Sequence, residues 1–237
     1  MSDSSSTASA SISKDSALLS LNSTTTFSHA GPIVLVLVGL IGSGKSTFAQ
    51  ALQQCYPHFH RCNQDELGDR RQVESLARSC LQQGLNVCID RTNFNEPQRA
   101  YWINIAREFP GTSVWVIVFD TPYEECERRL GLRTGHPTIT SPAHGLSILA
   151  RFASDYRPPA PYEGYDRIIF LKTSDQLAGV YTHSDITSIL QRLQGSPPVT
   201  PPIGGVHTAF RGRGYTRYRG QRGYYRGVGQ NGRARPW

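Results

Sequence analysis

The chain has 237 residues and a formal net charge of +7, and that charge is unevenly placed. Residues 203–237 hold eight arginines and no lysine, aspartate or glutamate, so the first 202 residues carry 25 − 8 = 17 basic against 18 acidic side chains, a balance of −1. A basic tail on a near-neutral body excludes a general positive field over the folded part, and any nucleic-acid groove there must be a local patch. Five cysteines (Cys55, Cys62, Cys80, Cys88 and Cys126) form no C-x-x-C pair and have no histidines at zinc-finger spacing. They read as small buried hydrophobes of a reducing compartment rather than a disulfide framework. No apolar run approaches the roughly 20 residues that cross a bilayer. The opening MSDSSSTASA lacks a basic segment and an apolar segment, so the expected location is nucleus or cytoplasm, neither secreted nor in a membrane.

In chain order, residues 1–29 are Ser/Thr-rich with few bulky apolar side chains. Such a composition buries too little surface to offset the entropy of ordering, and a disordered arm is expected. Ile33 to Val38 is a buried strand that runs into Gly39-Leu40-Ile41-Gly42-Ser43-Gly44-Lys45-Ser46, a match to the phosphate-binding pattern G-x-x-x-x-G-K-[ST] in its strand–loop–helix setting. Glycines at 39, 42 and 44 let the backbone turn tightly, and the N–H groups from Ser43 to Thr47 face a polyphosphate at the positive end of the next helix. Lys45 would reach the β- and γ-phosphates of ATP, and the Ser46 hydroxyl would ligate Mg²⁺. A helix follows over Thr47 to Tyr56.

A second strand over 58–65 delivers Asp65 at its carboxyl end, where ligand-facing side chains emerge in an open α/β sheet. One helix is expected over Leu67 to Gln83, and then a strand, Leu85 to Asp90, followed by Arg91-Thr92-Asn93. A helix over Glu96 to Phe109 carries Tyr101, Trp102, Ile105 and Ala106 on one face. Val114 to Phe119 reads as a strand buried on both faces. A helix from Thr121-Pro122 leads into a polar lid over residues 131–161, with its own helix at Pro142 to Tyr156. A fifth strand, Arg167 to Leu171, and a helix, Ser184 to Leu193, complete the body. Alternating strands and helices give an α/β fold with a parallel sheet covered on both faces. The expected organisation is an arm at 1–29, one phosphate-loop domain at 30–195, and at 196–237 a Pro-rich linker with a disordered Arg-Gly-Tyr tail.

Four stretches, in this order, resemble the 5′-polynucleotide kinase family over residues 32–172. They are the phosphate loop; Asn63-Gln64-Asp65-Glu66-Leu67-Gly68, similar to N-R-D-x-L-G; Ile89-Asp90-Arg91-Thr92-Asn93, similar to (I/S)-D-x-T-N; and Pro161 to Ile168, similar to P-x-x-x-E-G-F-x-x-I. The resemblance implies a P-loop NTPase-type fold with a helical lid, ATP and Mg²⁺ as cofactors, and an acceptor that is a single-stranded or end-exposed nucleic acid. It places Asp65 as the general base, with Asp90, Thr92 and Asn93 at the acceptor, and Arg133 as the lid arginine, with Arg128 and Arg129 close by. Gln64 departs from the family arginine, so the contact to the acceptor's phosphate is assigned to Arg70 or Arg71. The D-x-D-x-T phosphatase signature of many relatives is absent from this sequence.

Elementary chemistry leads to the same parts, since phosphoryl transfer needs positioning, a cation cluster and a base near the nucleophile. Competing readings are helix capping for Asp65, and an Asx turn, a cap or a Mg²⁺-shell acid for Asp90. Two other functions also fit: a small-molecule kinase acting on a nucleoside or sugar, and an RNA-binding protein with a nucleotide switch or degenerate NTPase domain. The tail's arginines and interleaved tyrosines favour nucleic acid over the first. Intact Lys45, Ser46 and Asp65 argue against the second.

Overall fold

The computed structural model describes residues 26–132, 141–175 and 180–200. Arg133, most of the N-terminal arm and the Arg-Gly-Tyr tail lie outside the described residues. Five parallel strands, β1 (Ile33–Val38), β2 (Phe59–Asn63), β3 (Asn86–Asp90), β4 (Ser113–Asp120) and β5 (Arg167–Lys172), form one sheet in the order β2-β3-β1-β4-β5. Seven α-helices run between and after them among the described residues: α1 (Lys45–Cys55), α2 (Gln64–Leu67), α3 (Arg70–Gln82), α4 (Glu96–Arg107), α5 (Tyr123–Leu132), α6 (Pro142–Asp155) and α7 (His183–Gln194).

The apolar run of β1 is buried throughout, yet its two-residue period still sorts the side chains. Ile33, Leu35 and Leu37 pack with Phe48 and Leu52 of α1 and with Ile186 and Leu190 of α7. Val34, Val36 and Val38 face the other way, onto Val73 and Ala77 of α3 and Trp102 and Ile105 of α4. Burial on both faces is why the run carries no polar residue. Because every strand points the same way, their carboxyl ends share one edge. There the first loop, Asp90 and the start of α2 converge.

Three local expectations are corrected. The single helix over 67–83 is two, because Gly68 takes a left-handed φ of 87° and Asp69 restarts the chain as the cap of α3. The second strand stops at Asn63, which caps α2, so Asp65 sits inside a short helix rather than at the strand's end. The folded body also runs past both expected boundaries, 30 and 195. Phe27 is buried against Tyr56, Phe59 and Trp115, while the Val199 N–H donates to the Asp166 carbonyl at 2.9 Å. The Phe27 ring buries a large apolar area there, and His29 packs edge-on against Trp115 beside it.

Candidate active site

Helix starts differ in a way that marks the site. α2, α3, α4, α6 and α7 each open on a side-chain cap, from Asn63, Asp69, Asn95, Ser141 and Thr182 respectively. α1 opens on Gly44 with no side-chain cap and no acid in its first turn. Its first N–H groups are thus left for an external anion. The loop before it has the geometry a phosphate needs. Gly42 has φ 79°, and a Cβ there would stand 2.8 Å from the Cys126 carbonyl oxygen. A Cβ on Gly39 would meet Ser43 Oγ at 2.9 Å. Any other residue would push this turn open.

The loop is braced from three sides. Gly39 N–H donates to the Thr92 carbonyl (3.2 Å), Thr121 Oγ1 donates to the Ser43 carbonyl (3.1 Å), and Leu40 and Ile41 pack on Cys126, Leu130 and Leu149 of α5 and α6. Lys45 is buried, with Nζ donating to the Leu40 carbonyl (2.6 Å) and Ser43 Oγ (3.2 Å), so its ammonium is held inside the loop's curve. Ser43 is itself fully buried and serves the loop through its hydroxyl and carbonyl. Thr47 is exposed in the first turn of α1.

Ser46 Oγ donates to Asp90 Oδ1 at 3.0 Å. That contact puts Asp90 behind the hydroxyl expected at the metal, the arrangement of a loop Ser/Thr and a strand-end Asp that holds Mg²⁺ in P-loop enzymes. Asp90 is 3% exposed, which gives an acceptor little surface to touch. Its other oxygen accepts from Arg61 Nε (2.8 Å) and Asn63 Nδ2 (2.8 Å). Arg61 continues to Glu66. Burial works to lower the Arg61 pKa, but the carboxylates, Asp90 foremost, outweigh it and the net shift is upward. No group of three or more His, Cys, Asp or Glu side chains that could cage an ion occurs among the described residues. The donor set suits Mg²⁺, which uses few protein ligands and keeps waters and substrate phosphates.

Asp65 is exposed in the first turn of α2. Capping does not explain it, since Asn63 accepts from Glu66 N–H (3.1 Å) and Asp69 from Gln72 N–H (3.0 Å). Asn93 goes the other way. It is wholly buried at a left-handed φ of 45°, its amide donates to the Leu37 carbonyl (2.8 Å) and its Oδ1 accepts from Trp102 Nε1 (2.9 Å). The side chain is therefore a brace between β1 and α4, and the expectation that it meets the acceptor is corrected: all its polar atoms are engaged inside the core. Thr92 serves through its carbonyl, on Gly39. Arg70 lies 3.9 Å over the Tyr101 ring and pairs with Glu74 (2.9 Å), while Arg71 is exposed on the same helix. Arg129 reaches the loop, donating to the Gly42 carbonyl (3.3 Å) and to Glu125 (2.7 Å). Arg128 and Arg129 together hold the Glu125 carboxyl down, to about 2.

Sequence reasoning missed two arginines. Arg61 had no local signal. Arg99 did, because it lies three residues before Trp102 on the buried stripe of α4. It makes a two-pronged pair with Glu163 (2.7 and 2.6 Å) and also donates to the carbonyls of Asn93 (3.0 Å) and Arg157 (2.9 Å). The segment returning from the lid is thereby tied to α4.

Comparison with known proteins adds to this geometry. A family model described as an AAA domain matches residues 69–159. The bifunctional polynucleotide phosphatase/kinase of Schizosaccharomyces pombe is 40% identical over 76 residues, covering 32% of this chain and 18% of that protein. Sequence similarity to a polynucleotide phosphatase/kinase thus accompanies the phosphate-loop geometry. The chain also resembles part of an Arabidopsis thaliana protein named transcription factor bHLH140, 31% identical over 147 residues, covering 60% of this chain and 16% of that one. The chain thus spans under a fifth of the length of either relative. A solved fungal RNA kinase matches the fold with TM-score 0.55 at 18% identity, over 70% of this chain and 88% of that one. No helix among the described residues is long and apolar enough to cross a membrane.

Proposed function

We propose that this domain transfers the γ-phosphoryl group of ATP to the 5′-hydroxyl end of a polynucleotide, RNA or DNA. One observation carries the reading: an exposed carboxylate, Asp65 in the first turn of α2, follows a strand two places from the one that feeds the phosphate loop, at the carboxyl edge of the same sheet. Phosphoryl transfer asks the protein chiefly to position and to stabilise charge. Lys45 and the free N–H groups of α1 bind the β- and γ-phosphate oxygens. Ser46, backed by Asp90, would hold Mg²⁺, which when bound neutralises charge across those oxygens. Asp65 accepts the proton of the 5′-hydroxyl as its oxygen bonds to the γ-phosphorus and the bond to the bridging oxygen of ADP breaks. Arg129, which reaches the loop at the Gly42 carbonyl, is a cation for the phosphates, and the family resemblance offers Arg133 for the same role. The arginine- and tyrosine-rich tail supports a nucleic-acid acceptor, since it offers phosphate contacts and stacking faces without sequence preference.

The test is transfer from γ-labelled ATP with Mg²⁺ to a panel of 5′-hydroxyl RNA and DNA oligonucleotides, free nucleosides and sugars. Label on the oligonucleotides supports the reading. Label confined to a nucleoside or sugar makes the domain a small-molecule kinase instead, and label on nothing, with ATP still bound, makes it a switch.

A further inference from the structure

Asp90 is held from behind by the strand beside it. Its side chain is almost fully buried, and a carboxylate at that depth needs a charged partner and donors for both oxygens. β2 provides them. Residues two apart in a strand share a face, so Arg61 and Asn63 project together, on the side where Phe59 packs with Phe48 and Leu52 of α1. Asn63 stands opposite Asp90 in the register, which brings the carboxylate to the same face. Asp90 Oδ2 therefore receives Arg61 Nε (2.8 Å) and Asn63 Nδ2 (2.8 Å), with Arg61 Nη2 at 2.7 Å. Oδ1 is left for the Ser46 hydroxyl at 3.0 Å. Arg61 is itself held at two further points. Its N–H donates to Gln53 Oε1 of α1 (2.7 Å), and its Nη1 donates to Glu66, exposed in the first turn of α2.

We propose that Arg61 is a positioning residue for the metal side of the ATP site, with Glu66 as its outer anchor. This deepens the phosphoryl-transfer reading and rests on its ATP and Mg²⁺ part, not on the identity of the acceptor. A hydroxyl has one proton to give and two lone pairs to offer. Because Asp90 Oδ1 takes the Ser46 proton, the serine's lone pairs face away from Asp90 and can ligate a cation. That arrangement lasts only while the carboxylate keeps its orientation. Arg61 fixes the orientation with two nitrogens of one planar fork on Oδ2, and Glu66 on the third nitrogen keeps the fork from turning. Two carboxylates about one guanidinium also leave the group formally negative, as suits the neighbour of a cation site. Groups that hold metal-binding residues in place typically cost about 10–100-fold in metal affinity or activity when removed.

The experiment is calorimetric binding of ATP to the full chain, once with Mg²⁺ and once with EDTA, with no acceptor present. Wild type should bind at least about tenfold more tightly with Mg²⁺. Arg61→Met should erase most of that gain while leaving the metal-free affinity within about twofold of wild type, because Lys45 and the loop are untouched. Arg61→Lys should restore part of the gain, since an ammonium can pair with Asp90 but lacks the fork for a second carboxylate. Glu66→Gln should lower the gain less than Arg61→Met does. Thermal melts of each variant show whether the fold persists. An arginine that only supports the fold would lower the melting midpoint, or both affinities alike, with the Mg²⁺ gain intact, and that result overturns the proposal. So does a wild-type chain that binds ATP equally with and without Mg²⁺. If Arg61→Met unfolds the protein, Arg61→Lys alone decides: a gain reduced severalfold supports the proposal, and an undiminished one overturns it. Failure of the polynucleotide reading shows separately, as an Arg61-dependent Mg²⁺ gain in a protein that phosphorylates no oligonucleotide.

Discussion

Removing Glu163 from its pair with Arg99 should cost more stability than any single change at the nucleotide loop. Both side chains are almost fully buried, 1% and 2% exposed. Glu163→Leu leaves the Arg99 guanidinium in the interior with only backbone carbonyls from Asn93, Arg157 and Pro158 as acceptors. It also strips the acceptor from the Ala160 N–H, now bonded to Glu163 Oε1 at 2.8 Å. Breaking a buried pair from one side costs about 3–5 kcal/mol. For a domain of this size about 1 kcal/mol moves the melting midpoint by roughly 2–4 °C, so the fall should be on the order of 6–20 °C. The assay is thermal unfolding followed by circular dichroism, with the double variant Arg99→Leu/Glu163→Leu beside the single one. The double variant should recover part of the loss, because no charge is left unpaired. A single variant that melts within about 2 °C of wild type would refute the reasoning, since the pair would then carry no net burden of buried charge.

Other expectations follow from the site and the tail. Asp65→Asn should lower kcat by about 10²–10⁴-fold while moving the melting midpoint little, because Asn63 and Asp69 do the capping; a near-normal kcat with lost stability would reverse that assignment. Burial raises the pKa of all five thiols, which shifts each toward the unreactive protonated form. Near pH 8 a thiol reagent should therefore label Cys55, the one only partly buried, and reach all five only after denaturation, so rapid native labelling of Cys88 would contradict the packing. Deleting residues 203–237 should weaken binding to a long single strand and flatten its salt dependence while sparing kcat on a short oligonucleotide; unchanged affinity and salt slope would make the tail a spacer.

What was legible in the sequence was local. The phosphate loop is contiguous, and its glycines and the apolar run of β1 act on neighbours in the chain, so pattern and structure agree there. The sheet's parallel character followed from the same runs. Contacts between distant segments were not legible. Asn93 sits in a motif and reads as a ligand group, yet its side chain is consumed by Leu37 and Trp102, one of them 56 residues away. Arg61 meets Asp90 only because β2 lies beside β3 with Asn63 opposite Asp90. Asp65 was placed at a strand end because alternation says nothing of where a four-residue helix begins. The cap at Asn63 decides that, and a cap is read from an N–H contact rather than a spacing. Phe27 and Val199 lay in stretches whose average composition is polar, and an average hides a single side chain or backbone bond that docks.

The most direct test of the central claim is where the phosphate ends up. A 5′-hydroxyl RNA is incubated with γ-labelled ATP and Mg²⁺ and then digested by a nuclease that leaves 3′-phosphates, with Lys45→Ala as the control. The account predicts label only in the nucleoside 3′,5′-bisphosphate from the first position, and none with Lys45→Ala. Label at an internal or 3′ position, or in RNA treated with the Lys45→Ala protein, would contradict it.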